Sequence, residues 1–340
     1  MKIKKPYKRA LILFLIIFNP ITAIAQEYGI TVFGTNLIIK EDIIKNHTEE
    51  LDTLKILYTR DRDKYKKKKA DLENKLMTFG DFSLINVQLI KSYTGKYDFI
   101  LDLVETSDAK TRLNFREIDT IHFDDPDNLI AKWQSYEDYS YRLFKDGEIK
   151  DYSCPVIHCL WSFNHLKLKS YLEFFNTYAP KHKDRLIEIL NSSKSPNKRA
   201  SAAFLLAHSE ISNEDLLKIL MPSIYDPERN VRNNSMRVIY YIVRAYPDIK
   251  FDISKVIDAL DFPSFTDRNK ALVILRSISL DNLKKEDSKR LSRILVEILE
   301  KKDAHNYKNA YIVIKKLSKK DFAIDAIENW GKWQKTYFKD

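Results

Sequence analysis

The stretch Asp226-Pro227-Glu228-Arg229-Asn230-Val231-Arg232, followed by Ser235 and Ile239, decides how the chain is read. An aspartate and a proline close one segment. An arginine then starts a helix with a small residue three positions on and an apolar residue seven positions on. The same spacing recurs on both sides: Arg199 with Ala202 and Leu206, Arg268 with Ala271 and Leu275, Tyr307 with Ala310 and Ile314. The starts are 33, 36 and 39 residues apart. A small residue at the third position lets two helices approach closely, and the apolar seventh continues that face two turns on. Other amphipathic stretches fall between: Leu186 to Leu190, Leu216 to Ile224, Ile253 to Leu260 and Leu291 to Leu299. Ser193 and Asp226 lie six residues before their arginines and Asp261 seven. Pro196, Pro227 and Pro263 stand between helices, where a missing N–H costs least. Residues 181–340 are thus expected to be a helix-pair repeat. No single pair could bury its own apolar face, so the pairs must stack.

This repeat resembles HEAT repeats, whose aspartate-x-x-x-x-valine-arginine-x-x-alanine core is matched by Asp226, Val231, Arg232 and Ser235. The resemblance covers about 140 residues. It implies an armadillo-like superhelix in which Arg199, Arg232 and Arg268 pair with the preceding aspartates inside an internal ladder, so that these arginines and Asp226 are structural residues first and contacts second. It also implies a concave protein-binding surface built from one helix of each pair.

Upstream, Tyr28 to Phe33 reads as a strand ending at Gly34, and Ile38 to Leu57 and Asp61 to Phe79 read as helices. The lysine run 66–69 is a solvated face. Phe82 to Ile90 and Tyr97 to Leu103 alternate with period two about a turn at Thr94-Gly95-Lys96, which marks a hairpin. The order β-α-α-β-β, with Ile30 to Asn36, Gly80-Asp81-Phe82 and Ile100 to Glu105, resembles a POTRA domain over residues 26–105. That resemblance implies partner binding by strand addition and association with an outer-membrane or secretion assembly. No barrel follows in the sequence. Residues 106–180 form an aromatic-rich connector with helices expected at Pro126 to Lys145 and His165 to Tyr178, read as a cap on the helical stack. The competing reading is an aromatic-lined ligand site. The segment Asp321 to Asp340, with Trp330 and Trp333, is expected to cap the far end. The fold class expected is an α+β N-terminal domain followed by an all-α superhelix.

Lys2, Lys4, Lys5, Lys8 and Arg9 precede the apolar run Ala10 to Phe18, and Ala23-Ile24-Ala25 follows. This is the order of a secretory signal peptide over residues 1–25, with cleavage between Ala25 and Gln26. Nine apolar residues are too few to span a bilayer. The protein is therefore expected to be exported, to the periplasm or beyond, with no transmembrane segment in the mature chain. Five of the ten net positive charges lie in that segment, so the basic balance does not point to nucleic acid. Cys154 and Cys159, the two cysteines, have four residues between them. In an oxidising compartment a small local disulfide is the expectation. Buried thiols, or zinc with His158 and His165, are the alternatives, although a second cysteine pair is missing.

Six glycines in 340 residues, with no GxGxxG and no P-loop, leave nucleotide chemistry without support. GxSxG, HExxH and EF-hand patterns are missing too. The acidic turn Asp124-Asp125-Pro126-Asp127 beside His122 reads as a helix cap in preference to a cation site. His165, His182 and His208 read as surface or satisfied core residues. No catalytic, metal or cofactor residue is assigned. The function expected is a non-enzymatic protein-interaction scaffold. The alternative is an enzyme or metal-binding protein with a site around residues 122–165.

Overall fold

The computed structural model describes residues 28–91, 95–303 and 305–338. The expected cleavage site at Ala25 and Gln26 and the hairpin residue Thr94 lie outside the described residues.

The chain opens with β1 (Tyr28–Phe33), α1 (Lys40–Arg60), α2 (Arg62–Leu76), β2 (Phe82–Lys91) and β3 (Tyr97–Glu105). β3 is central: β1 runs parallel to it with Thr31 opposite Ile100, and β2 antiparallel with Val87 opposite Leu101. α1 starts two residues later than Ile38 because the Asp42 carboxylate accepts the Ile39 amide, 3.1 Å away, and so fixes the cap there. Asp61 is not the first residue of α2 but its cap, accepting from the Lys64 amide at 3.0 Å. α2 ends at Leu76, and Met77–Phe79 is a 3-10 turn.

The sheet is buried on both faces. Phe99, Leu101 and Leu103 point into a core with Leu51, Leu54 and Leu72 of α1 and α2. Ile100 points the other way, into the core of the helical part. Buried on both faces, β3 is continuously buried from Phe99 to Val104 and does not show the period-two alternation expected of Tyr97 to Leu103.

Next come the short α3 (Ala109–Arg112), α4 (Leu129–Lys145) and α5 (Lys169–Tyr178). Pro126 does not begin α4. Asp127 and Asn128 have φ of 48° and 57°, so Pro126–Asn128 is a separate turn. The Asp125 carboxylate accepts from the Ile130 and Ala131 amides at 2.8 and 2.9 Å. α5 likewise starts after a turn at Leu166–Leu168. The rest is helix pairs: α6 (Lys183–Ser192) with α7 (Pro196–Leu205), α8 (Asn213–Leu220) with α9 (Arg229–Ala245), α10 (Ile253–Asp261) with α11 (Phe265–Ser277), and α12 (Lys285–Glu300) with α13 (Tyr307–Ser318). α14 (Ile327–Tyr337) packs on α12. The second helices α7, α9, α11 and α13 lie side by side. Ala202, Ser235, Ala271 and Ala310 are fully buried in that layer, as their small size requires. One continuous core runs through the helical part to Phe338 and takes in Phe33 and Ile100 from the sheet. Trp330 of α14 is buried, and its Nε1 donates to the Ala323 carbonyl at 2.9 Å.

Candidate functional site

Three buried arginines bind the pairs to one another. Each donates through Nη1 to the carbonyl six residues upstream: Arg199 to Ser193 at 2.7 Å, Arg232 to Asp226 at 2.7 Å, Arg268 to Phe262 at 3.4 Å. Each also reaches an acid outside its own pair. Arg199 donates to both Asp226 oxygens at 2.9 and 2.8 Å. Arg232 donates twice to Asp267 Oδ2, at 2.9 and 2.7 Å. Arg268 donates to Asp102 Oδ1 of β3 at 2.6 Å, and its Nε lies 4.0 Å from Asp303. The third rung therefore ties the sheet to the helices. Phe33 stacks on the same guanidinium, 4.1 Å from ring centre to Cζ. Burial pushes the Asp267 and Asp102 carboxyls above the usual carboxylate range; the guanidinium facing each offsets part of that rise.

Asp226 and Arg232 do not pair by their side chains, although they sit in the same motif. Asp226 answers the preceding arginine, and Arg232 the following acid. Asp261, seven residues before Arg268, is not the ladder acid of its pair. Its carbonyl accepts Arg112 Nε at 3.0 Å and its carboxylate accepts Arg293 at 3.2 Å. Asp267, inside α11, takes the ladder position. The sequence reading also missed Asp102, Arg116 and Asp303. Asp102 did carry a signal: a lone carboxylate amid Ile100, Leu101, Leu103 and Val104 needs a buried cation.

Residues 106–124 run back along the edge formed by the inter-helix turns. Arg112 meets the Asp261 carbonyl, Phe115 stacks on Arg232 at 4.6 Å, and Arg116 donates to Asp226 and to the Leu190 carbonyl, both at 2.9 Å. Ile121 then bridges to Ser193. This part of the connector is a strap along the turns. α4 and α5 extend the stack itself, with Trp133 stacked on Phe204 at 5.1 Å and Tyr136 on Phe163 at 4.5 Å.

Cys154 and Cys159 are disulfide-bonded. Within their loop, His158 is buried between Phe204 and Tyr241, at 4.6 and 4.9 Å. Neither of its ring nitrogens has a hydrogen-bond partner. Burial, reinforced by nearby Arg237, His208 and Lys270, holds it well below the ordinary imidazole range. His208 is a core residue bonded through Nδ1 to Asn176 at 2.9 Å and is pushed down to about 4 by burial. His165 and His182 face Glu148 and Asp127 at 3.7 and 2.7 Å, and His122 is exposed. Residues 122–165 thus do not converge on one point. Among the described residues, no group of three or more His, Cys, Asp or Glu is placed to hold a metal ion.

Two surfaces remain. A polar cleft of about 570 Å³ lies between the sheet and α10 and α12, lined by Thr35, Glu105, Arg112, Asp261, Arg293 and Glu297. Several of its charges are already engaged: Glu105 accepts Thr35 Oγ1 at 2.5 Å, and Arg112 and Arg293 both reach Asp261. The second surface is the outer side of α9, α11 and α13, carrying Arg237, Tyr240, Tyr241, Lys270, Arg276 and Ile312, all half-buried or exposed. Lys270 is pushed down to about 8, by burial and then by Arg237. Its Nζ donates to the neutral Asn269 side chain at 3.2 Å.

The chain is a mostly helical protein with a small three-stranded mixed sheet docked against a helical stack. It matches no family model, no curated protein and no solved structure. Among the described residues no helix is long and apolar enough to cross a membrane.

Proposed function

We propose that the chain is an exported, non-enzymatic protein-interaction scaffold: a HEAT-like superhelix carrying a POTRA-like domain on its turn edge. One observation carries the reading. The ladder consumes Arg199, Arg232 and Arg268 inside the stack, while the sheet and strap occupy the turn edge, so the outer side of the second helices is left as an extended surface. Stacked repeats use such surfaces to bind other proteins. The disulfide fits an oxidising compartment. Strand addition, in this reading, falls to β1. The outer edge of β2 is blocked at Val87, whose amide donates to Glu73 of α2 at 2.7 Å. β1 instead borders a groove with Ile39, Lys40, Glu41, Lys301 and Lys302. The test is crosslinking of the tagged protein in the exported fraction, followed by affinity capture. Recovery of a stable protein partner is expected. Export without any captured partner would overturn the reading.

A further inference from the structure

Charge is distributed unequally between the two layers of the stack. The second helices α7, α9, α11 and α13 hold twelve Lys and Arg against one acid, Asp267, which the ladder consumes. The first helices α6, α8, α10, α12 and α14 hold ten Lys and Arg against eleven Asp and Glu. The ladder accounts for three of the twelve, and three more have partners within the fold: Lys198 the Phe123 carbonyl, Arg229 Gln88 of β2, and Lys315 the Asp321 carboxylate. Repeat stacking needs small and apolar residues in the second helices, not an absence of carboxylates.

Three other cations of these helices lie beside neutral acceptors. Arg237 Nε donates to Asn233 at 3.1 Å, Lys270 to Asn269 at 3.2 Å, and Arg276 to Asn309 at 2.8 Å. Lys308 and Ile312 of α13 are exposed. The acid close to this group is Glu137 of α4, beside Arg237 and itself raised by burial. Lys270 is the informative member. A half-buried ammonium depressed by burial and by a neighbouring guanidinium is destabilised where it stands. Besides Arg237 on α9, it is close to the neutral His158 of the disulfide loop, and its own Asn269 bonds to Asn306 ahead of α13. None of these groups supplies negative charge; an incoming carboxylate would.

We propose that the outer face of α9, α11 and α13 binds an extended acidic segment of a partner protein, with Lys270, Arg276 and Lys308 each meeting a carboxylate. This deepens, and rests on, the scaffold reading. Helices in contact stand about 8–10 Å apart, which an extended chain covers in about three residues. Lys270 and Arg276 stand six residues apart on α11, about 9 Å along its axis, so acids at every third position match that spacing as well as the step to the neighbouring helix. Tyr240, Tyr241 and Ile312 offer apolar area between the charges. Tyr240 and Tyr241 pack edge to face at 5.2 Å, and Tyr241 also packs on His158, so their rings do not stand free to stack nucleic-acid bases.

The probe is a fluorescein-labelled twelve-residue peptide with Glu at every third position, titrated by anisotropy against the full mature chain. The wild type is expected to bind it with affinity falling as salt rises, and to bind the Gln version at least about tenfold more weakly. Lys270→Met and Arg276→Gln should each weaken binding about tenfold without lowering the thermal melt. Affinity should also drop as pH rises through 8, while Lys270→Arg should retain it at pH 9. Equal affinity for the Glu and Gln peptides, or tighter binding of a single-stranded oligonucleotide or an anionic vesicle through the same residues, overturns the proposal. The crosslinking experiment separates the two readings. If wild type and the Lys270→Met/Arg276→Gln variant capture the same partner equally, the acidic-segment proposal fails and the scaffold stands. If neither captures one, the scaffold reading itself fails.

Discussion

Asp226→Ala should be among the most damaging single substitutions in the helical stack. Asp226 is fully buried and faces two guanidinium groups, those of Arg199 and Arg116. Its Oδ1 also accepts the Glu228 amide at 2.9 Å, which shapes the turn into α9. The Arg116 side chain is 20% exposed and can take water in exchange; Arg199, at 4%, cannot. Removing the acid therefore strands one buried cation, a loss of about 3–5 kcal/mol. For a chain of this size that is a fall in Tm of about 5–8 °C. Because the rung joins neighbouring pairs, the unfolding transition should also broaden. Arg199→Met/Asp226→Met removes the stranded charge along with its partner. It should recover most of the loss, to within about 1–2 kcal/mol of wild type. Urea unfolding followed by circular dichroism measures all three proteins. A loss below about 1 kcal/mol for Asp226→Ala, or a double variant no better than the single one, would refute the view that this rung is buried charge held by its partner.

Lowering the pH should destabilise the aromatic end of the stack. His208 is held at about 4 against an ordinary 6.5, so between those values the unfolded chain binds the extra proton. Its contribution is complete above pH 6.5 and is lost as pH falls toward 4, about 2 kcal/mol of it by pH 5. His208→Asn should flatten that part of the stability–pH curve in urea titrations; an unchanged slope would count against the assignment. Gly34→Ala should cost about 1–3 kcal/mol, because Gly34 has φ of 84° and a Cβ there would strike Arg112 Nη1 and the Leu103 carbonyl. Gly147→Ala, at φ of 72° with open space around it, is the control, and equal losses in denaturant melts would refute the packing argument. Replacing Cys154 and Cys159 by serine closes no loop in the unfolded chain and should cost at most about 2 kcal/mol for so short a span. A loss twice as large in the same melts would mean that the bridge holds more than its own turn.

The sequence by itself determined the local elements. Period-two and period-3.6 patterns, capping side chains and turn residues act within a few positions of one another, so the α1–α2 pair, both long strands and the second helices are legible in the sequence. The buried arginines at 199, 232 and 268 were legible as well, because their spacing recurs. Their partners were not. Asp226 answers an arginine 27 residues upstream, Asp267 one 35 residues upstream, and Asp102 one 166 residues downstream, and no local pattern encodes which acid is brought near which cation. Asp261 sat in the expected place in the sequence and was turned toward α12 instead. Only the tertiary structure decided these pairings, since burial makes an unpaired charge costly and the chain must supply the counter-ion from whatever segment folding places beside it.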